Sequence, residues 1–126
     1  MPRGKKFPRS VRLLRHPDFE KVYERGKRHF STHMTVFYLQ REPSAGVRVG
    51  FTVSRMLGGA VERNRMKRRL REAVRLSLPL DPLPMDIVIN PKKTVLAAEF
   101  ARLQEEVARA LEVIQKQAGK AGMPSA

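Results

Sequence analysis

Between Gly58 and Arg75 the chain reads Gly-Gly-Ala-Val-Glu-Arg-Asn-Arg-Met-Lys-Arg-Arg-Leu-Arg-Glu-Ala-Val-Arg, a dense run of cations directly after a glycine turn. Met66, Leu70, Ala73 and Val74 recur at helical spacing and predict one apolar face. At about 100° per residue, Asn64, Arg68, Arg71 and Arg75 fall on the opposite face, with Arg65 flanking them. Lys67 and Arg69 lie on the two borders, and Arg63 turns toward the apolar side in the first turn. The chemistry on offer is charge: guanidinium groups on a rigid rod, placed to meet a polyanion. Nucleic acid is the partner this implies. Gly58 and Gly59 would let the chain turn and bring the helix's N-terminal amides close to a phosphate or other anion. The Gly-Lys-Ser/Thr that completes a Walker loop is absent.

A protein-only nuclease needs clustered carboxylates for a divalent metal or a histidine pair for acid–base work. Asp18, Asp81 and Asp86 are scattered, and neither Asp-x-Asp nor His-x-His spacing occurs. His29 and His33 are four apart at a strand entrance with no nearby acid, so they read as surface histidines rather than metal ligands. No catalytic residue and no metal site is expected in the protein itself. The chain reads as a binder that brings charge and shape while another component supplies the chemistry. On charge alone, a ribosomal-type or other RNA-binding protein with no role in cleavage stays open, and a stand-alone nuclease is the remaining competitor.

The elements that must position this helix belong to a chain of 126 residues, a length for one domain with a modest core. Twenty-six Lys and Arg against twelve Asp and Glu give a net charge of +14 and a pI near 11.3, past the usual mark for a nucleic-acid-binding domain. Each phosphate neutralised releases condensed counterions, so binding should be tight and salt-sensitive. The absence of cysteine excludes disulfides, thiolate zinc sites and cysteine nucleophiles together. No stretch approaches the roughly 20 apolar residues needed to span a bilayer, and the basic start lacks the apolar core of a secretory signal. The expectation is a cytoplasmic protein without a membrane partner.

Residues 1–10 carry Arg3, Lys5, Lys6 and Arg9 among Pro2, Gly4 and Pro8 and read as a mobile basic arm. A single domain is expected over 11–118, followed by a small, polar tail over 119–126. Pro17 suits a first helical position, and Phe19, Val22 and Tyr23 repeat at helical spacing before Gly26, predicting a helix over 17–25. Residues 33–40 alternate as a strand. Val47, Val49, Phe51 and Val53 alternate as another after the turn at Pro43-Ser44-Ala45-Gly46, and the two predict an antiparallel hairpin. The basic helix should run over 59–77 and end at the linker containing Pro79, Pro82 and Pro84. A further strand is expected over 85–90. Thr94 is the expected cap of a last helix with Phe100, Leu103, Val107, Leu111 and Ile114 as its apolar stripe. Glu99, Glu105, Glu106 and Glu112 make that helix the most acidic segment, expected to face away from a polyanion.

Arg48-Val49-Gly50-Phe51-Thr52-Val53-Ser54, a short loop, and then Ala60-Val61-Glu62-Arg63-Asn64-Arg65-Met66-Lys67-Arg68 resemble the signature of the bacterial ribonuclease P protein subunit. The Arg-Asn-Arg core followed by Lys-Arg is its most specific element. Phe19-Glu20-Lys21-Val22-Tyr23 and Asp86-Ile87-Val88-Ile89 fall where that family has its first helix and a later strand, so the resemblance spans about 17–115.

The resemblance implies an α/β (α+β) two-layer sandwich of order α-β-β-α-β-α, with a central mixed sheet and a left-handed βαβ crossover, like the second domain of ribosomal protein S5. The general rule for parallel crossovers would have given the opposite hand. It implies a heterodimeric RNA–protein holoenzyme in which a catalytic RNA, with Mg²⁺, removes the 5′ leader of precursor tRNA. The protein would bind that RNA and the leader and raise metal and substrate affinity. By the resemblance, Arg63, Asn64, Arg65, Lys67, Arg68 and Arg71, with Arg75 further along the same face, would contact the catalytic RNA. Phe19, Tyr23 and Phe37 would line the leader cleft, with Arg55 beside it. Phe37 and Tyr38 point to opposite faces of their strand, so only one of them can line that cleft. Two departures stand out: Arg55-Met56 where the family commonly has two lysines, and Asn90-Pro91-Lys92-Lys93 in place of an Ala-Arg run.

Overall fold

The computed structural model describes residues 15–40, 46–78 and 84–122. Its elements are α1 (His16–Arg25), β1 (Lys27–Phe30), β2 (Met34–Gln40), β3 (Val47–Phe51), a 3-10 turn (Arg55–Leu57), α2 (Ala60–Ser77), β4 (Met85–Pro91), a second 3-10 turn (Lys93–Leu96) and α3 (Phe100–Gly122). The expected arm at 1–10 and residues 123–126 of the expected tail lie outside the described residues, as does Asp81.

The four strands form one mixed sheet in the order β1-β2-β4-β3, and this order corrects the expected hairpin. β2 and β3 do not pair. β4 lies between them, antiparallel to β2 and parallel to β3. Residues 85–89 are buried without a break, because a strand covered on both faces belongs in the middle of a sheet. The parallel pair β3–β4 then needs a crossover long enough to hold a helix, and α2 is that helix. The hairpin is instead β1–β2, with Lys27 opposite Tyr38 and Phe30 opposite Thr35. β1 adds a strand to the expected order. Its sequence, Lys-Arg-His-Phe, lacks apolar alternation, as suits a charged edge.

The main core is the layer between the sheet and the pair α2 and α3. Met34, Val36, Val47, Val49, Met85, Ile87 and Ile89 meet Met66, Leu70, Ala73 and Val74 of α2 and Leu103, Val107, Leu111 and Ile114 of α3. Both predicted stripes are therefore the buried faces of their helices. α3 starts at Phe100 rather than at a Thr94 cap: Thr94 sits in the 3-10 turn, and its carbonyl accepts from the amides of Ala97 and Ala98.

On the other face α1 lies across part of the sheet, with Val22 packed on Val88 and with Phe19, Phe37 and Leu39 around them. Ten residues of helix cover only about 15 Å, too little to roof four strands. Gly26 lets the end of α1 approach β2, since a Cβ there would lie 2.4 Å from the Val22 carbonyl oxygen and 2.5 Å from that of Tyr38.

Candidate nucleic-acid interface

The basic helix begins at a turn that only glycine makes comfortably. Gly58 has φ +146°, and a Cβ on it would strike the Glu62 carboxylate. That carboxylate accepts the Gly59 amide hydrogen at 3.0 Å. The anion expected at this helix start, a phosphate or another, is at the Gly59 amide a carboxylate from within the chain.

Burying Met66, Leu70, Ala73 and Val74 turns Asn64, Arg65 and Arg68 fully outward. The other cations are held closer to the protein. Arg63 donates from Nε to the Gly58 carbonyl at 3.2 Å, and Arg69 donates to the carbonyl of Ala98, tying α2 to the turn that precedes α3. Lys67 and Arg71 are half-buried on the flanks. Arg75 pairs with Glu72 one turn earlier, Nε lying 3.1 Å from Oε1. That hydrogen bond holds the Glu72 carboxyl below its ordinary value and raises Arg75. The predicted face thus divides into outward cations at Arg65 and Arg68 and a partly neutralised one at Arg75.

The sheet face under α1 forms the second surface. Phe19, Tyr23 and Phe37 come together there, whereas Tyr38 joins the main core on the opposite face. Tyr23 and Phe37 meet edge to face with ring centroids 4.9 Å apart, and the Arg28 guanidinium lies 5.6 Å from the Phe37 centroid. The Tyr23 hydroxyl is 2.8 Å from Thr52 Oγ1 and 3.0 Å from Asn90 Oδ1. The amide oxygen can only accept, so donation to Asn90 and acceptance from Thr52 satisfies all three groups. Tyr23 is still 39% exposed, while Phe19 and Phe37 are half-buried. They are packing residues that still present part of their aromatic surface to solvent. Arg55, exposed, opens the 3-10 turn that follows Thr52-Val53-Ser54, with exposed Met56 beside it.

Beside these aromatics, on the same sheet face, lies an ion cluster that local sequence does not reveal. Arg48 on β3 makes a bidentate pair with Asp86 on β4, both N–O distances being 2.9 Å, and reaches Asp18 of α1 at 3.2 Å. Asp86 is only 4% exposed, and its hydrogen bond leads the effects that raise Arg48. Two aspartates read as scattered are thus brought together by a cation that ties α1 to the sheet. The only signal for this was a charged residue in each of two mostly apolar strands.

His33 also differs from its reading as a surface residue without an acid. Its amide donates to Glu106 Oε1 at 2.9 Å, its Nε2 lies 3.4 Å from Oε2, and Nδ1 is 2.8 Å from Thr94 Oγ1. The acid comes from α3, far along the chain, so local sequence could not reveal it. Among the described residues no group of three or more His, Asp or Glu is placed to hold a metal ion. No helix is long and apolar enough to cross a membrane, again among the described residues.

Comparison with known proteins shows the family and the fold. Residues 7–115 match the family model described as Ribonuclease P. A ribonuclease P protein component from Oleidesulfovibrio alaskensis is 50% identical over 86 residues, covering 68% of this chain and 69% of the relative. One from Finegoldia magna is 36% identical over 112 residues, covering 89% and 95%. Among solved structures, the Thermotoga maritima RNase P protein superimposes with a TM-score of 0.70 at 27% identity, covering 81% of this chain and 96% of that one. The Staphylococcus aureus RNase P protein shares the fold with a TM-score of 0.72 at 24% identity, covering 83% and 95%.

Proposed function

Because the chain belongs to the ribonuclease P protein family, we propose that its outward helix cations and its α1 groove are the two hands with which it serves that ribonucleoprotein. It is the RNA-binding subunit of a ribonucleoprotein endoribonuclease that matures tRNA, and the RNase P RNA is its partner. In our reading Arg65 and Arg68, with Asn64 between the first turns, meet phosphates of that RNA. Arg63, Lys67, Arg71 and Arg75 support the same surface from its flanks. The observation that carries this is the division of α2: its whole apolar stripe is buried while Asn64, Arg65 and Arg68 stand free in solvent.

The groove beneath α1 takes the single-stranded 5′ leader of precursor tRNA. Its walls Phe19, Tyr23 and Phe37 offer aromatic surface to bases, and Arg55 offers charge at the side leading to α2. Stacking of this kind tolerates any base sequence, which suits a leader that differs from one tRNA to the next.

The described residues do not fit a divalent ion of their own, since the carboxylates brought together, Asp18 and Asp86, both face Arg48. In our reading Mg²⁺ is bound mainly by the RNA, and the protein's part is to neutralise phosphate charge around it and to hold the substrate. The holoenzyme is a heterodimer of one RNA and one protein acting in the cytoplasm. The test is leader removal from a precursor tRNA by protein alone, RNA alone and both together at low Mg²⁺. Cleavage only by the combined sample is expected. Cleavage by the protein alone would overturn the assignment, and equal rates with and without protein would leave it an RNA binder with no role in the reaction.

A further inference from the structure

We propose that the leader path does not end at the α1 groove but continues onto edge strand β1, where the Phe30 ring stacks a more distal leader base and Arg28 meets the adjoining phosphate. This rests on the groove being the leader site.

Phe30 is 70% exposed on a short strand of otherwise polar residues, so core packing does not explain an aromatic there. Register decides which way it faces. Directly opposed residues of antiparallel strands share a face, and Phe30 opposes Thr35, which opposes Asn90. Asn90 and Thr52 both meet the Tyr23 hydroxyl. One row therefore crosses the sheet from Thr52 through Asn90 and Thr35 to Phe30, with hydrogen-bonding groups in its middle and an aromatic at its far end. The row beside it holds Arg28 and Phe37 in direct opposition, with Val88 next. Arg28 lies over the Phe37 ring and, as guanidinium, keeps planar N–H donors for a phosphate while doing so. Lys27 and Arg28 are both exposed, so the edge carries the charge a nucleic acid requires.

With α2 on the catalytic RNA, as proposed above, the leader enters the groove from the α2 side. β3 leads through the Arg55 turn into α2, and β1 is the opposite edge of the sheet. A strand of RNA that leaves the α2 side and crosses the groove reaches β1 after three inter-strand spacings, about 14 Å. Nucleotides farther from the cleavage point are therefore the ones that reach Phe30.

The test is equilibrium binding of the holoenzyme to precursor tRNAs whose leaders are shortened stepwise, with mature tRNA as the blank. The variants are Phe30→Ala, Phe30→Trp and Phe37→Ala, each first shown to melt like the parent. Phe30→Ala should weaken binding of long leaders by about fivefold to a hundredfold, the loss of one base–aromatic stack. That loss should vanish at leader lengths where Phe37→Ala still weakens binding, and Phe30→Trp should restore affinity. If Phe37→Ala weakens binding while Phe30→Ala matches the parent at every length, the extension fails and the groove stands. If neither variant distinguishes precursor from mature tRNA, both fail. An equal loss on mature tRNA with Phe30→Ala would place the ring against something other than the leader and overturn the proposal.

Discussion

The rings of Tyr23 and Phe37 meet edge to face at 83°, one from α1 and the other from β2, and that contact joins the helix to the sheet. An edge-to-face pair leaves part of each ring free, so the two side chains can hold α1 on the sheet and still offer aromatic surface to a ligand. The Tyr23 hydroxyl, bound to Thr52 and Asn90, keeps its ring from turning away.

Phe37→Ala should weaken precursor tRNA binding to the holoenzyme and leave mature tRNA binding nearly unchanged, because mature tRNA has no leader. The expected loss is about 1–3 kcal/mol, one stacked base. Phe37 also packs near Val22 and Val88, so Phe37→Leu is the companion variant that keeps apolar volume while removing the ring. Equal losses for precursor and mature tRNA in both variants would put Phe37 outside the leader path.

For α2 the expected signature is a change in salt dependence. Arg65→Ala and Arg68→Ala should each lower the log–log salt slope of catalytic-RNA binding by about one unit, or somewhat less on locally single-stranded RNA. Salt titrations with parent slopes would show both arginines to be merely solvated.

Glu72 gives a pH-dependent counterpart. Its carboxylate is held below the ordinary range by Arg75, so the ion pair is complete above that range and is lost as pH falls through the folded-state value. Glu72→Gln should release Arg75 and tighten RNA binding at pH 7. The advantage over the parent should shrink on acidification, because the parent then carries a neutral Glu72 as well. A gain that stays constant as pH falls would show that Glu72 does not restrain Arg75.

Arg48→Met should be the costliest of these substitutions for stability. It leaves the Asp86 carboxylate buried without its bidentate partner and removes the tie from Asp18 to the sheet. Breaking a buried pair from one side costs about 3–5 kcal/mol, an upper bound here because Arg48 is itself partly exposed. Chemical denaturation measures this, and an unchanged midpoint and slope would mean the cluster does not anchor α1.

The sequence alone determined the basic helix, because a 3.6-residue period sorts Met66, Leu70, Ala73 and Val74 from Asn64, Arg65 and Arg68 without knowledge of anything else in the fold. It likewise determined α1, the strands at β2, β3 and β4, and the stripe of α3, all of them local periodicities. Tertiary structure alone decided the strand order, since β4 enters between β2 and β3 from some 45 residues downstream, and no local pattern records which strands become neighbours. It also decided which cations face outward. Arg75 and Arg68 share a helical face on a wheel, yet Glu72 engages one of them and leaves the other in solvent. The pairings of Arg48 with Asp86 and of His33 with Glu106 span 38 and 73 residues. Such contacts arise only when packing of the apolar faces carries distant polar groups into reach, and burial then makes leaving them unpaired costly.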